Sequence, residues 1–204
     1  MARKSEFLQE KNLFYIFTNG KSSERVYFDL LKKRQSLFKV VVNYINGTPI
    51  DVVNACIKVK SEANQTWALF DVDESYLEGK LLPALQLART EEIRVAFSNK
   101  AFEVWLISHF EQYSKCANND ELKEELTKII NKNHITGKIK EYKKNDEQLI
   151  KTLFIPKYKQ AINNAKIVYQ TKIKDQKMLH NGNIKEWEMC SSTTVFMLVE
   201  ALKL

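Results

Sequence analysis

The sequence is poor in the residues that interrupt a chain, with only 5 glycines and 3 prolines among 204 residues. This scarcity excludes a long Gly/Pro-rich linker and a low-complexity tract. With 44% hydrophobic and 28% charged residues, the composition is that of an ordinary folded protein. No run approaches the ~18 consecutive apolar residues of a membrane span, and the first residues are charged. We therefore expect neither a transmembrane helix nor a secretory signal. The expected location is the cytoplasm.

Cysteine is also scarce. Cys56, Cys116 and Cys190 are far apart and form no CxxC pair. An odd number of scattered cysteines argues against a disulfide framework and against a zinc site. The expectation is three free thiols in a reducing compartment.

The net charge of +7 is unevenly distributed. Acids and bases nearly balance up to about residue 111, whereas lysine dominates from Lys115 onward, with Tyr142, Tyr158 and Tyr169 interleaved. Lysines neutralise phosphates and displace counterions, so this region has the composition of a nucleic-acid contact. A solvated lysine-rich helical surface has the same composition and is the alternative interpretation.

Strand and helix patterns alternate four times in the first 112 residues. The predicted strands cover 13–17, 38–44, 66–70 and 93–97. The predicted helices begin at Ser22 or Ser23, at Thr48 with Pro49, near 81 and at 101. Nearly all-apolar strands that alternate with helices predict a parallel sheet covered on both faces.

The rest of the chain is predicted to be helical. Helices are expected over 121–130, 138–154, 156–169 and 192–204, with the hydroxyl run 191–194 as the cap of the last helix. The predicted fold is thus α/β: a mostly parallel sheet of about four strands flanked by helices, with a C-terminal helical extension. We expect a core over 1–112 and a lysine-rich helical region over 113–204 packed on it as a single unit.

An acidic cluster ends the third strand. Asp71, Asp73 and Glu74 follow the apolar run at once, and alternation places Asp71 and Asp73 on the same side at the carboxyl edge of the sheet, where open α/β sheets bind ligands. Carboxylate oxygens suit Mg²⁺ or Mn²⁺. The alternative is that these acids only solubilise a turn and cap the next helix.

Two further acids are predicted at the same edge. Glu24 follows the first strand and Glu103 follows the fourth, each in the first turn of a helix. Either could assist a metal site, or simply compensate the helix dipole. His109 falls on the apolar face of its helix with Trp105, which favours a hydrogen-bonded core histidine over a general base.

Read together, these motifs resemble the RloB-like family. The matching elements are Gly-x-x-x-Glu with Tyr-Phe from Gly20, Phe-Asp-Val-Asp-Glu from Phe70, Ser-Asn-x-x-Phe-Glu-x-Trp-Leu-x-x-His-Phe-Glu from Ser98, and Ser-Thr-Thr-Val from Ser192. They span nearly the whole chain in the right order, and the third is specific. The resemblance implies a Toprim-like fold and a role in abortive infection, an anti-phage defence, beside an ATPase partner.

The resemblance also implies a divalent-metal site for phosphodiester chemistry on RNA or DNA, with Mg²⁺ or Mn²⁺ as cofactor. With the residues discussed above, the candidate catalytic residues are Glu24, Glu103, Asp71 and Asp73, and the candidate metal ligands are Asp71, Asp73 and Glu74. The candidate nucleic-acid contacts are Lys21, Lys100, Lys143 and Lys144. A homo-oligomer is compatible with the pattern.

One position departs from the family pattern. The family has Glu-Gly where this chain has Asn19-Gly20. An amide can ligate a metal through its carbonyl oxygen but cannot act as a base. The second functional hypothesis is therefore a catalytically weakened nucleic-acid-binding or regulatory subunit of an ATPase-containing complex.

Overall fold

The structure is a computed structural model that describes residues 12–72, 76–133, 137–179 and 185–204. Four strands form one sheet in the order β2-β1-β3-β4. They are β1 (Asn12–Thr18), β2 (Phe38–Tyr44), β3 (Gln65–Asp71) and β4 (Arg94–Ser98). All three pairings are parallel, so the four carboxyl ends lie along one edge. The predicted α/β fold with a parallel sheet is confirmed.

Helices cover both faces of the sheet, as the apolar strands predict. One face packs on α2 (Pro49–Val59) and α3 (Leu81–Thr90), through side chains such as Phe17 and Phe70. The other face packs on α1 (Ser23–Leu31), α4 (Glu103–Ser108) and the C-terminal helices. Neighbouring strand residues therefore enter different cores, as the two-residue period of a strand requires.

The start of α2 shows why the chain turns into a helix there. Pro49 occupies the first helical turn, and Asp51 accepts hydrogen bonds from both the backbone N–H and the hydroxyl of Thr48, at 2.8 and 2.7 Å. These bonds hold the pKa of Asp51 below its usual value. The predicted helix start at Thr48 and Pro49 is confirmed.

The C-terminal region contains α5 (Asn119–Asn133), a short α6 (Glu147–Leu149), the long α7 (Tyr158–Leu179) and α8 (Val195–Ala201). A π-helical turn over Ile150–Phe154 and a 3-10 turn over Ile155–Lys157 join α6 to α7. Buried residues of α5, α7 and α8 belong to the same hydrophobic cluster as Phe14 and Ile16 of β1.

Several predicted boundaries are wrong. The segment predicted as helix from 138 is irregular as far as Asp146, whose carboxylate caps α6 by accepting from the Leu149 N–H at 2.9 Å. Helix α4 begins at Glu103 rather than at 101, and α7 runs ten residues beyond the predicted end at 169. The Asp146 side chain accepts a hydrogen bond from a backbone N–H nearby in the chain. Such a bond favours the start of a new helix at this residue over a helix that continues through it.

The three-thiol prediction is wrong as well. Cys116 and Cys190 are joined by a disulfide across 74 residues, with Cα atoms 5.3 Å apart, whereas Cys56 is free and buried. Sequence separation carries no information about which distant segments a fold brings together. Within the described ranges, no helix is both long and apolar enough to cross a bilayer.

Candidate functional site

The topology brings the loop after β1 next to the end of β3. The two strands are hydrogen-bonded neighbours, with Thr18 opposite Leu69. The segment 19–24, which follows β1, therefore lies beside Asp71 at the end of β3. On the other side of β3, Asp71 pairs in register with Ser98 of β4. The loop after β1 and the end of β3 thus meet at one edge of the sheet.

Glu24 lies in the first turn of α1 and is 7% exposed. Its carboxylate sits directly over Gly20, since a Cβ atom added to that glycine would be only 2.0 Å from the Glu24 Cδ. The Gly20 N–H donates to the Thr18 hydroxyl at 2.9 Å, which fixes the turn. Glycine is thus needed at position 20 so that the Glu24 carboxylate can occupy this place.

Glu103 occupies the first turn of α4, directly after β4, and is 3% exposed. The Lys144 Nζ lies 3.0 Å from its Oε1. Apart from this ammonium, that buried oxygen has no hydrogen-bond partner among the described residues. Lys144 is therefore the main compensation for a carboxylate that is almost removed from water.

The Lys144 ammonium senses three carboxylates together. Desolvation is the largest single influence and lowers its pKa, but Glu103, then Asp71 and Glu24, outweigh it and hold the pKa above the usual value. Three acids from three separate elements thus act on one cation. We call Glu24, Asp71 and Glu103 the acidic edge.

The segment that carries Lys144 is anchored to the start of α1. The Ser23 hydroxyl donates to the Lys144 carbonyl oxygen at 3.1 Å, and the Tyr142 hydroxyl lies 2.9 Å from the same Ser23 oxygen. Since serine has one proton, Tyr142 donates to Ser23. Burial raises the pKa of Tyr142, which remains a neutral donor. The predicted helix start at Ser22 or Ser23 is confirmed, although the Ser22 side chain makes no capping bond and Ser23 holds the lysine segment instead.

A cleft of about 420 Å³ opens at this lysine. Its lining includes Glu103, Asn119, Lys143 and Lys144. We call it the Lys144 cleft. The irregular backbone before Asp146 therefore forms one wall of a concave surface at the acidic edge.

Hydroxyl side chains from the C-terminal segment close the end of β4. The Ser98 and Thr193 hydroxyls lie 2.8 Å apart, and the Thr194 hydroxyl accepts from the Phe97 N–H at 2.9 Å. These hydroxyls bond the strand, and Thr194 makes no side-chain cap to α8. The Thr193 hydroxyl does accept from the Val195 N–H at the start of α8, at 3.2 Å, so the prediction that the hydroxyl run 191–194 caps the last helix is confirmed for Thr193 and wrong for Thr194. Strand β4 also finds there the partners that a sheet edge otherwise lacks.

His109 is a core residue, as predicted. It is fully buried, its Nε2 lies 3.0 Å from the Tyr27 hydroxyl, and its Nδ1 lies 3.0 Å from the Trp105 carbonyl oxygen. Burial lowers the pKa of His109 to about 3. The imidazole is therefore neutral at physiological pH. His109 serves as a structural hydrogen-bonding residue and not as a general base.

The predicted lysine contacts lie in different places. Lys21 is exposed in the loop after β1. Lys143 and Lys144 line the Lys144 cleft, and Lys100 lines a neighbouring one. Asp73 and Glu74 lie outside the described residues. The sequence analysis missed Ser23, Tyr142 and Asn119 as parts of the site, and no local pattern distinguishes them.

The acidic edge offers carboxylate oxygens, the kind of donor that Mg²⁺ and Mn²⁺ prefer. The Lys144 ammonium pairs with Glu103, and Glu103, Asp71 and Glu24 all raise the pKa of this ammonium. Over the described ranges, no three acidic, histidine or cysteine side chains are arranged to ligate one ion. Glu24, Asp71 and Glu103 alone therefore do not complete a cation site, and Asp73 and Glu74, the other predicted ligands, lie outside the described residues.

The fold and the edge define a class: α/β proteins with a parallel sheet and an acidic cluster at its carboxyl ends. The chain belongs to the RloB-like family, because the family model described as RloB-like protein matches residues 14–202, nearly the whole chain. The predicted family membership is confirmed. Neither the curated proteins nor the solved structures contain a significant match to the chain.

Proposed function

We propose that this protein is a divalent-metal-dependent nuclease that cleaves phosphodiesters of RNA or DNA as a cytoplasmic effector of anti-phage defence. The observation that supports the proposal most directly is the acidic edge. Glu24, Asp71 and Glu103 come from three elements of the sheet edge and act together on one cation. Membership of the RloB-like family is the second support.

The roles follow from the positions. Asp71, Asp73 and Glu74 would hold Mg²⁺ or Mn²⁺, with Glu24 and Glu103 as helpers, and such an ion supplies positive charge at a phosphate and lowers the pKa of a coordinated water. Gly20 keeps the place of the Glu24 carboxylate open. Lys144, now paired with Glu103, presents the ammonium for which a substrate phosphate would compete. Lys21, Lys100 and Lys143 are further phosphate contacts.

The experiment compares isosteric variants. The purified chain is incubated with Mg²⁺ or Mn²⁺ and with tRNA, single-stranded and duplex substrates, with and without a partner ATPase. Asp71→Asn and Glu103→Gln should each reduce cleavage by about 10²-fold or more. Asp29→Asn is the control, because Asp29 lies in surface ion pairs with Arg25 and Lys32. Cleavage that survives both site variants would refute the metal site.

The second candidate function is a nucleic-acid-binding or regulatory subunit of an ATPase-containing complex. Asn19 favours it, because an amide stands where the family has a carboxylate and cannot accept a proton in catalysis. Tight nucleic-acid binding without cleavage, under all the conditions above, would support the subunit. Restoration of cleavage by Asn19→Glu would then show that this position is the cause.

A further inference from the structure

A second cleft lies beside the acidic edge. Its volume is about 550 Å³, within the roughly 300–1,000 Å³ range of small-molecule sites. Its lining combines apolar and aromatic side chains with amides, one lysine and one carboxylate: Tyr76, Leu77, Asn99, Lys100, Asn119, Trp187 and Glu188. We call it the aromatic cleft. The acidic edge does not use these residues.

The aromatic cleft is continuous with the candidate site. It is also lined by Val72, which directly follows Asp71, and the Val72 N–H donates to the Ser98 carbonyl oxygen at 3.0 Å. Asn119 lines both the aromatic cleft and the Lys144 cleft. A ligand that extends over the acidic edge therefore reaches the aromatic cleft without leaving the surface.

The walls of the aromatic cleft are tied together. The disulfide joins Cys116 to Cys190, and Cys190 lines the cleft. The Asn99 side-chain amide donates to the Trp187 carbonyl oxygen at 2.6 Å, and the Tyr76 hydroxyl donates to the Glu188 carboxylate at 2.8 Å. The cleft is thus formed before a ligand arrives, which reduces the entropy lost on binding.

The lining has the chemistry that recognises a nucleobase. Trp187 and Tyr76 offer aromatic surface on which a base can stack, and the exposed Asn119 amide can pair with its donors and acceptors. Trp187 is partly buried against the core and its indole N–H is inaccessible, so a base would meet the ring surface and not this N–H. Lys100, exposed at the rim, suits the adjoining phosphate.

We propose that the aromatic cleft binds an unpaired nucleobase of the nucleic acid whose phosphodiester lies at the acidic edge. The proposal rests on the proposed function and names its substrate class: single strands, loops or ends rather than continuous duplex. In a duplex the bases are stacked and paired, so a base reaches a lateral cleft only after it is unstacked at a cost in free energy. The acidic edge and the aromatic cleft would then select single-stranded substrate together.

The test measures binding without cleavage. A short fluorescein-labelled single strand and its duplex are titrated in metal-free buffer against wild type, Trp187→Leu and Trp187→Phe. Trp187→Leu should weaken single-strand binding by about tenfold or more, because one stacked base contributes roughly 5- to 150-fold. Trp187→Phe retains a ring and should keep most of the affinity. Duplex binding should be weaker and almost unchanged by either variant.

The control is Tyr44→Leu, an aromatic residue at the end of β2 on the same sheet edge but outside the aromatic cleft. It should leave single-strand binding unchanged. Cross-linking of an iodouridine-containing single strand to the wild-type protein gives a readout that needs no variant. The cross-link should map to Trp187 or Tyr76.

The outcomes separate this proposal from the nuclease. Equal single-strand affinity of wild type and Trp187→Leu, or a cross-link confined to the exposed lysines of α7, would overturn the base site even if the protein cleaves nucleic acid. Loss of single-strand affinity in Trp187→Leu supports the base site, even if cleavage is absent under every condition.

Discussion

The Lys144 ammonium lies 3.0 Å from the Glu103 carboxylate, which is almost completely buried. This ion pair connects the irregular segment of the C-terminal region with the first turn after β4. Because the Lys144 side chain is 54% exposed, the pair is a mixed case between a surface and a buried salt bridge. When the pair is broken, the exposed Lys144 ammonium can be hydrated by water, whereas the buried Glu103 carboxylate cannot.

Removal of the lysine should destabilise the fold. Lys144→Met leaves the Glu103 charge without its main compensation, and we expect the free energy of unfolding at pH 7 to fall by about 1–2 kcal/mol, less than for a fully buried pair. Urea denaturation measures it. Lys143→Met, at the exposed neighbouring position, should change it by less than about 0.5 kcal/mol. Equal effects of the two variants would show that the pair contributes nothing.

The same substitution should strengthen cation binding. An ammonium beside three carboxylates opposes the approach of a divalent ion, so Lys144→Met should bind Mn²⁺ several-fold more tightly than wild type. Isothermal titration calorimetry measures the difference. Weaker binding by Lys144→Met than by wild type contradicts the competition between lysine and metal.

A substitution of Gly20 should weaken metal binding without a large effect on the stability of the fold. In Gly20→Ala the new Cβ meets the end of a flexible side chain, so the Glu24 carboxylate moves aside instead of the backbone. We expect about tenfold weaker Mn²⁺ binding, similar to Glu24→Gln, with an unfolding free energy within about 1 kcal/mol of wild type.

Gly47→Ala is the matched control, because its Cβ would meet the Asp51 carboxylate at 2.6 Å in the same way. Asp51 binds Thr48 at the start of α2, so this variant should lose about 1 kcal/mol of stability and keep its Mn²⁺ affinity. If both glycine variants weaken Mn²⁺ binding equally, the effect does not come from Glu24.

Stability should decrease in acid because of His109. Its pKa is about 3 in the folded protein and about 6.5 in the unfolded chain, so between these values only the unfolded chain binds the proton. The free energy of unfolding should therefore fall as the pH decreases from 6.5, by up to about 1.4 kcal/mol per pH unit from this group. In His109→Gln the slope measured by denaturation between pH 6 and 4 should be smaller by that amount. An unchanged slope would mean that another group is responsible.

The hydroxyl contact at the end of β4 should contribute to stability. Thr193→Val removes a buried hydroxyl that bonds Ser98 and the Phe97 carbonyl oxygen, and should cost about 1–2 kcal/mol. Thr171→Val makes the same chemical change on exposed α7, where the hydroxyl bonds only the preceding turn, and should cost less than about 0.5 kcal/mol. Thermal unfolding of both variants tests the difference.

The sheet could be predicted from the sequence because its signals are local. Each strand is a short, nearly continuous apolar run, and the helices between them carry starts such as Thr48 with Pro49. The acidic edge followed from this alternation, since strands that alternate with helices run parallel and end at one edge. Glu24, Asp71 and Glu103 are where that argument expects them.

The other half of the site depends on contacts distant in sequence. Lys144 and Tyr142 lie about 120 residues from Ser23, and nothing in the lysine-rich stretch distinguishes this lysine from its neighbours. The Cys116–Cys190 bond and the contact of Thr193 with Ser98 have the same origin. Helical periodicity favoured a continuous helix over 138–154, whereas burial of the Tyr142 ring and the cap at Asp146 replaced it by an irregular segment.

The bridge between Ser98 and Thr193 has a consequence for biosynthesis. Strand β4 gains its last hydrogen-bonding partners from residues that a ribosome adds almost a hundred codons later. We expect a nascent chain arrested before Thr193 to leave β4 and the helix after it open to limited proteolysis, and a chain arrested beyond α8 to protect them. The finished edge, with its acids in place, would then exist only after this part of the chain has emerged, so the cell meets the assembled site late in synthesis.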